Sequence, residues 1–364
     1  MNDGKIAVLH TEASLGFGGQ ERRILRELER LDPARFRGLL LCQPGSKLGQ
    51  VTEARGIPTF RLKMRAAFDP IAFIKILRLL RRERVDIIHA HSSRDAWLVG
   101  AAGKLLGVKV FRTRHLLTRI GGRLVYTRLT DFVLTVSEGV RQYLISAGVP
   151  AAKIVAVPTG IDLKRFDPGR KDLKDVRAEF GLRPDDFVVG IVAVLRFNKG
   201  HHHLIRAVGR LAPRHPNLKL VIVGDGPQKQ NIDKLVEELG LEQRVMRVGH
   251  YDDIPSVLKA LDAFALPTRE EALGTALIEA TAMGVPVIAT KVGGIPEVLG
   301  EAGVYTPTED ADALARNIEA LIGDSARRAR LRDQGMERAR ALYDENLMVR
   351  RTETLYRQAL GSTT

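Results

Sequence analysis

Pro267-Thr268-Arg269-Glu270-Glu271-Ala272-Leu273-Gly274-Thr275-Ala276-Leu277-Ile278-Glu279-Ala280 follows a short apolar run, Ala263–Leu266. An apolar run that stops at proline and resumes with helical spacing after glycine reads as strand, turn and helix. Glu271 and Glu279 are eight positions apart. A continuous helix rises about 1.5 Å per residue, which would set them roughly 12 Å apart. That is wider than the roughly 5–9.5 Å of a glycoside-hydrolase carboxylate pair, so an acid–base dyad does not suit them. Two hydroxyl-rich ends of one extended ligand, a sugar and a ribose, do. Between them the amides of Leu273, Gly274 and Thr275 open a helix, where free N–H groups favour an anion such as a diphosphate.

Outward from this stretch the same pattern repeats. Strands are expected at Val188–Leu195, Leu218–Val223, Val245–Val248, Pro286–Ala289 and Val304–Tyr305, with helices at Gly200–Ala212, Pro227–Leu239, Ile254–Ala260 and Thr275–Met283. The first half has its own set: Ile6–His10, Gly38–Cys42, Thr59–Leu62, Asp86–His91, Val108–Thr113, Phe132–Val136 and Ile154–Val157. Between them run helical stretches such as Gln20–Leu31, Pro70–Glu83 and Glu138–Ala147. Continuous apolar strands alternating with helices predict parallel sheets buried on both faces. The pattern breaks at a polar stretch, Asp162 to Asp186, which predicts two doubly wound α/β domains, 1–165 and 166–344. A last helix, about 345–364, is expected to pack back on the first domain. Ligands of such sheets lie beyond the strand carboxyl ends, which points to a cleft between the domains.

Bulk properties agree. A chain of 364 residues exceeds what one core usually supports. At 45% hydrophobic and 27% charged it has the composition of a soluble globular protein. Cys42 is the single cysteine, which excludes an intramolecular disulfide and a cysteine-based metal site. No basic-then-apolar leader opens the chain and no run approaches the roughly 18 apolar residues of a membrane span, so a cytoplasmic protein is expected. The net charge of +14 is uneven: residues 1–170 hold 30 of the 57 Lys and Arg but 15 of the 43 Asp and Glu. Phe73-Ile74-Lys75-Ile76-Leu77-Arg78-Leu79-Leu80-Arg81-Arg82 reads as a basic amphipathic helix, and Arg112, Arg114, Arg119, Arg123 and Arg128 add to it. Such a half attracts polyanions, and a peripheral contact with an anionic membrane surface is expected of it.

The stretch with Glu271 and Glu279 resembles the E-x7-E signature of retaining GT-B-fold glycosyltransferases of family 4, the "glycosyl transferases group 1" type. Five further segments extend the resemblance in order along the chain. They are Gly18-Gly19-Gln20-Glu21; Asp86-Ile87-Ile88-His89-Ala90-His91; Val157-Pro158-Thr159-Gly160-Ile161-Asp162 with Phe166; Leu195-Arg196-Phe197-Asn198-Lys199-Gly200; and Val223-Gly224-Asp225-Gly226-Pro227. Ala272, Leu273 and Thr159 depart from the residues usual there. The resemblance implies two Rossmann-like doubly wound domains facing a cleft, an acceptor-binding first domain and a nucleotide-sugar-binding second one.

It also implies roles. Arg196 and Lys199 would neutralise the departing diphosphate, as fork and as point charge. Glu279 would accept the ribose hydroxyls, Glu271 would bind a hydroxyl of the sugar, and Gly18 and Gly19 would let the backbone approach the diphosphate. His115, in Thr113-Arg114-His115, would donate to the sugar or position the acceptor, with His91 as the rival. No divalent metal is expected: His201-His202-His203 begins a helix and points three ways, Asp310-Ala311-Asp312 reads as a helix cap, and Asp225 lies in a tight glycine turn.

The expected reaction is transfer, with retention, of a hexose or N-acetylhexosamine from a nucleoside-diphosphate sugar to an acceptor hydroxyl. A UDP-sugar is favoured over a GDP-sugar, the acceptor is a glycan or lipid-linked one, and the setting is bacterial cell-surface glycan or lipopolysaccharide synthesis. Two rival readings are a nucleotide-sugar 2-epimerase on the same scaffold and a basic nucleic-acid-binding protein. Only 5% aromatic residues and the lack of a nucleic-acid-binding module speak against the latter.

Overall fold

Strands that are apolar on both faces leave the chain one economical arrangement, parallel pairing under helices on either side. It is used twice. The computed structural model describes residues 4–64 and 68–361; the first three residues and the tail of the expected last helix, 362–364, lie outside them. The chain divides into two compact units. One runs to Gly160 and takes in the chain from Glu345 onward; the other is Ile161–Asp344. The join therefore falls after Gly160 rather than after residue 165. The physical reason is that Ile161 N–H donates to the Tyr343 carbonyl at 2.8 Å and Ile161 bridges to Asp344, which ties 161–165 to the second unit.

The first unit holds β1 (Ile6–Glu12), β2 (Phe36–Cys42), β3 (Thr59–Arg61), β4 (Ile87–Ala90), β5 (Lys109–Arg114), β6 (Phe132–Thr135) and β7 (Ile154–Ala156). They form one sheet of order β3-β2-β1-β4-β5-β6-β7, parallel throughout. Its helices are α1 (Gly19–Arg30), α2 (Lys47–Ala54), α3 (Pro70–Arg82), α4 (Ser93–Leu106) and α5 (Glu138–Ser146). Alternation divides the strands between two faces. Leu9, Ile88 and Val110 pack against Ile76 and Leu79 of α3 and Val99 and Ala102 of α4. Val8, Ile87, Phe111 and Leu134 face Met348, Val349 and Tyr356 of the last helix (Glu345–Ala359). That helix is further held by Arg26 on Glu345 at 3.1 Å and by the Asp32 N–H on Glu353 at 2.7 Å. At α3 the sequence Asp69-Pro70 sets the start: the Asp69 carboxylate accepts the Ala72 N–H at 3.0 Å, and proline occupies a position whose N–H needs no partner.

The second unit holds β8 (Phe187–Val192), β9 (Leu218–Val223), β10 (Val245–Gly249), β11 (Ala263–Leu266), β12 (Val287–Thr290) and β13 (Gly303–Thr306), again parallel, in order β10-β9-β8-β11-β12-β13. Its helices are α6 (His201–Leu211), α7 (Lys229–Glu238), α8 (Ile254–Lys259), α9 (Thr275–Ala282), α10 (Ile295–Leu299), α11 (Ala311–Gly323) and α12 (Ser325–Leu342); the last helix of the first unit is α13. In both sheets the strand order reverses beside the first strand of the unit, the doubly wound arrangement. β8 stops short of the expected Leu195, because the Arg196 N–H folds back onto the Val194 carbonyl at 2.7 Å and Val194 turns outward.

One contact fixes the turns that follow β8 and β11. Gly200 has φ +76°, and a Cβ built on it would lie 2.0 Å from the Pro267 carbonyl oxygen. The backbones of the two turns touch at this point, and the Asn198 carbonyl accepts both the Thr268 hydroxyl and the Arg269 N–H at 2.8 Å. Gly200→Ala should therefore destabilise the chain by about 2 kcal/mol or more, through left-handed strain and displacement of Pro267. Urea unfolding of the full-length protein reads this out, and an unchanged midpoint would contradict it.

Candidate active site

The carboxyl end of the first sheet carries an unusual run of side chains. His10 on β1 pairs in register with His89 on β4, which pairs with Phe111 on β5. Period-two alternation puts His91, Thr113 and His115 on that same face, further toward the strand ends. The apolar floor made by Val8, Ile87 and Phe111 thus gives way to a buried polar seam. His10 Nδ1 and His91 Nε2 are 3.0 Å apart, and His91 Nδ1 and His115 Nε2 are 3.1 Å apart. The two rival histidines of the sequence are hydrogen-bonded neighbours: His91 is buried, and His115, next in the row, is partly exposed. His89 bonds the Tyr356 hydroxyl through Nδ1 at 2.5 Å and the Thr113 hydroxyl through Nε2 at 2.7 Å.

Helix α1 closes the seam with Arg23 and Glu27, both buried, with Arg23 Nε donating to Glu27 at 2.9 Å. Arg23 also donates to the Val157 carbonyl at 2.8 Å. Burial, and then the nearby Arg23, holds His10 down at about 3; burial likewise keeps His89, His91 and His115 well below the ordinary imidazole range. All four are neutral at pH 7. Donor atoms of His10, Glu27, His89 and His91 lie within 4.8 Å of one another, a spacing that a metal ion can use. A cation there would face the Arg23 guanidinium and displace the bonds to His91 and Tyr356, so the seam fits hydrogen-bonded imidazoles better.

Beside the seam, Glu12 ends β1. Its carboxylate accepts the Ser14 N–H at 2.7 Å and the Gln20 side-chain amide, and burial followed by Asp95 pushes it up to about 8. Gly18 and Gly19 start α1 next to it, and the Gly18 N–H donates to Glu21 at 2.7 Å. Neither glycine is demanded by the fold. Gly18 is extended, a Cβ on Gly19 would meet nothing within 4 Å, and one on Gly18 would meet only Glu21 at 3.5 Å.

The second unit gathers part of the expected set. Lys199, at the end of the β8–α6 turn, binds Glu271 at 2.6 Å, across the contact that Gly200 makes possible. α9 begins at Thr275 behind Gly274, which has φ +92° and provides no side-chain cap, so the first amides of the helix keep their donors. Leu273 is buried and offers only its backbone. Glu279 lies on α9, partly exposed. Glu271 precedes the helix, in the loop where its carbonyl accepts the Gly294 N–H at 3.1 Å. The 12 Å expected from continuous helical rise therefore does not apply to the Glu271–Glu279 pair.

Arg196 opens the turn that Lys199 ends, its carbonyl accepting the Lys199 N–H at 3.1 Å. It lines a cavity of about 430 Å³ with Phe197, His202, Arg206 and Gln228. Phe197 stacks on His202 at 4.6 Å under the Arg269 guanidinium. His201 turns into the core, and among the described residues the three consecutive histidines form no group with metal-ligand spacing. Asp310 caps α11 through the Ala313 N–H at 2.8 Å, and Asp225 accepts its neighbouring Gly226 N–H at 2.8 Å.

The basic face also needs revision. Arg112 is buried over the Tyr126 ring at 4.1 Å, and Arg114 is buried and bonded to Thr118, so neither contributes surface charge. Arg119, Arg123 and Arg128 are exposed, as are Lys75, Arg78, Arg81 and Arg82 on α3. Among the described residues no helix is long and apolar enough to cross a membrane.

Comparison with known proteins matches both units. Residues 17–165 match the family model "Glycosyltransferase Family 4", and residues 172–338 match "Glycosyl transferases group 1". The lipopolysaccharide core biosynthesis glycosyltransferase LpsE of Rhizobium meliloti is 30% identical over 270 residues, covering 72% of this chain and 73% of LpsE. UDP-Gal:alpha-D-GlcNAc-diphosphoundecaprenol alpha-1,3-galactosyltransferase of Escherichia coli is 29% identical over 313 residues, covering 80% of each. Among solved structures, Anabaena Alr3699/HepE in complex with UDP superposes with a TM-score of 0.87 at 23% identity, covering 96% of this chain and 99% of that one. With two parallel-sheet α/β units of matching fold and these relatives, the chain belongs to the GT-B glycosyltransferases of the group 1 type.

Proposed function

We propose that the chain is a retaining transferase that moves a hexose or N-acetylhexosamine from a nucleoside-diphosphate sugar to an acceptor hydroxyl in bacterial surface-glycan or lipopolysaccharide synthesis. The observation that carries this reading is the Lys199–Glu271 pair beside the uncapped start of α9. A cation, a carboxylate and free amides are what the β-phosphate and a sugar hydroxyl of such a donor require. The C1–O bond to the β-phosphate breaks with its electron pair on the phosphate oxygen. The acceptor oxygen forms the new C1–O bond and gives up its proton. Lys199, Arg196 and the amides of Leu273, Gly274 and Thr275 would stabilise the departing charge, so no divalent metal is called for. Glu279 would take the ribose, and His115 would hydrogen-bond the sugar or the acceptor.

Gly18 and Gly19 are in keeping with the reading: among the described residues nothing requires their lack of a side chain, and a closely approaching ligand would use it. A UDP-sugar is favoured over a GDP-sugar by the donor in the galactosyltransferase's name and by the UDP bound to the Anabaena protein. A lipid-linked acceptor fits the exposed side of α3, where Ile71 (67% exposed) and Ile74 (50%) stand with Lys75, Arg78, Arg81 and Arg82. Such a face suits an anionic membrane surface.

Five experiments test this. In a thermal-shift screen, UDP-sugars should stabilise the protein more than GDP- or ADP-sugars; a ligand at 100 times its Kd contributes about 2.7 kcal/mol, and no shift with any of them would sink the proposal. With the donor so identified, Lys199→Ala should lower transfer by roughly 10²–10³-fold and Arg196→Ala by a similar factor, with folding intact. Product analysis separates transfer from 2-epimerisation. Because burial keeps His115 neutral, its active form should persist well below pH 6.5, and the pH–rate profile should show no acid limb where an ordinary imidazole titrates. A limb at that pH would contradict this role. Vesicles with anionic lipid should co-sediment the protein and neutral vesicles should not; equal binding would remove the membrane reading.

A further inference from the structure

The hydrogen bonds of the histidine seam have a property that single pairs lack. Each neutral imidazole carries one N–H, so His91, with both ring nitrogens engaged, donates through one and accepts through the other. The two bonds must therefore run in the same sense, from His10 through His91 to His115 or the reverse. In the first sense the His115 proton is on Nδ1, the nitrogen that takes no protein partner among the described residues, and His115 is a donor. In the reverse sense Nδ1 is bare and His115 is an acceptor, the form of a general base. The sense is a collective choice made at the buried end.

That end is asymmetric. His10 Nε2 is buried with no partner, so the reverse sense would strand an N–H there. On the other side of the ring, Glu27 Oε2 lies 3.7 Å from His10 Nδ1, likewise without a hydrogen-bond partner. The oxygen favours a proton on Nδ1. We infer that Glu27 and His10 fix the sense of this chain, holding His115 as its Nδ1–H tautomer so that it serves the transfer reaction as a hydrogen-bond donor and not as a base. His10 and His91 are thereby positioning residues, acting through His115. His89 stands apart from the choice, its two nitrogens occupied by Tyr356 and Thr113. The inference rests on the role proposed above for His115 only in its last step; the tautomer is a property of the free protein.

Nitrogen NMR of the full-length protein, labelled with ¹⁵N-histidine and free of substrate, tests it at pH 7. The expected spectrum has His91 and His115 both protonated at Nδ1 and bare at Nε2, with any reverse population about tenfold smaller or less. His10→Leu removes the buried donor and should raise the Nε2–H form of His115 to a readily detected share. His10→Asn, whose amide nitrogen can donate from about the place of Nδ1, should restore the original tautomer. A wild-type His115 that is protonated at Nε2, or charged, would overturn the inference. So would a folded His10→Leu protein with an unaltered His115 signal. In transfer assays with the donor identified above, His10→Leu should lower kcat with KM little changed, and His10→Asn should recover it. If the tautomers are as described but His115→Ala transfers sugar at the normal rate, the catalytic step of the inference fails while the order of the chain stands.

Discussion

A missing side chain at position 200 is the condition on which the site proposed in the second unit rests. The turns after β8 and β11 approach until a backbone carbonyl occupies the place of a Cβ, and only then does Lys199 reach Glu271. Everything downstream in that unit inherits this contact: the shared Asn198 carbonyl, the path of the chain through Glu271, and the start of α9 behind Gly274. A cation and an anion that neutralise each other in the free protein are held beside a helix start that no side chain caps. The arrangement is cheap to maintain in the free protein, and its charges and amides are those the proposed donor would use.

The first unit solves its problem by other means. Its strand ends carry side chains rather than backbone donors, and nearly all of them are shielded from water. Burial deprives the imidazoles of charge, and hydrogen bonding then has to satisfy them one by one. Arg23 and Glu27, one helical turn apart on α1, set an ion pair against the seam, in which burial pushes the Glu27 carboxyl up and Arg23 draws it back.

Much of this was legible in the sequence, because it depends on local pattern. Parallel strands announce themselves as unbroken apolar runs such as Leu218–Val223, and the glycine and proline punctuation at Pro267 and Gly274 marks a strand–turn–helix without further information. The seam was not legible in the same way. His10, His89 and Thr113 become neighbours only through strand register, and no spacing along the chain reveals it. A sequence signal did exist on α1, where Arg23 and Glu27 interrupt a stripe otherwise set by Ile24 and Leu28. Nor does composition distinguish Arg112, folded under Tyr126, from Arg119 at the surface; both count equally as positive charge until packing is known. The direction of Arg196 is similarly invisible, since it depends on how the chain turns after β8.

The placement of α13 has a consequence for biosynthesis. Met348, Val349 and Tyr356 complete the core beneath β1, β4 and β5, although more than three hundred residues separate Tyr356 from Val8. While the ribosome is still making this chain, the amino-terminal sheet emerges first yet has one face covered only in part, by α1. Residues 161–344 contain every strand and helix of their own sheet and can consolidate as soon as they are out. The half that is synthesised first is therefore finished last. In the interval, Val8, Ile87 and Phe111 are open to water and to any holdase within reach.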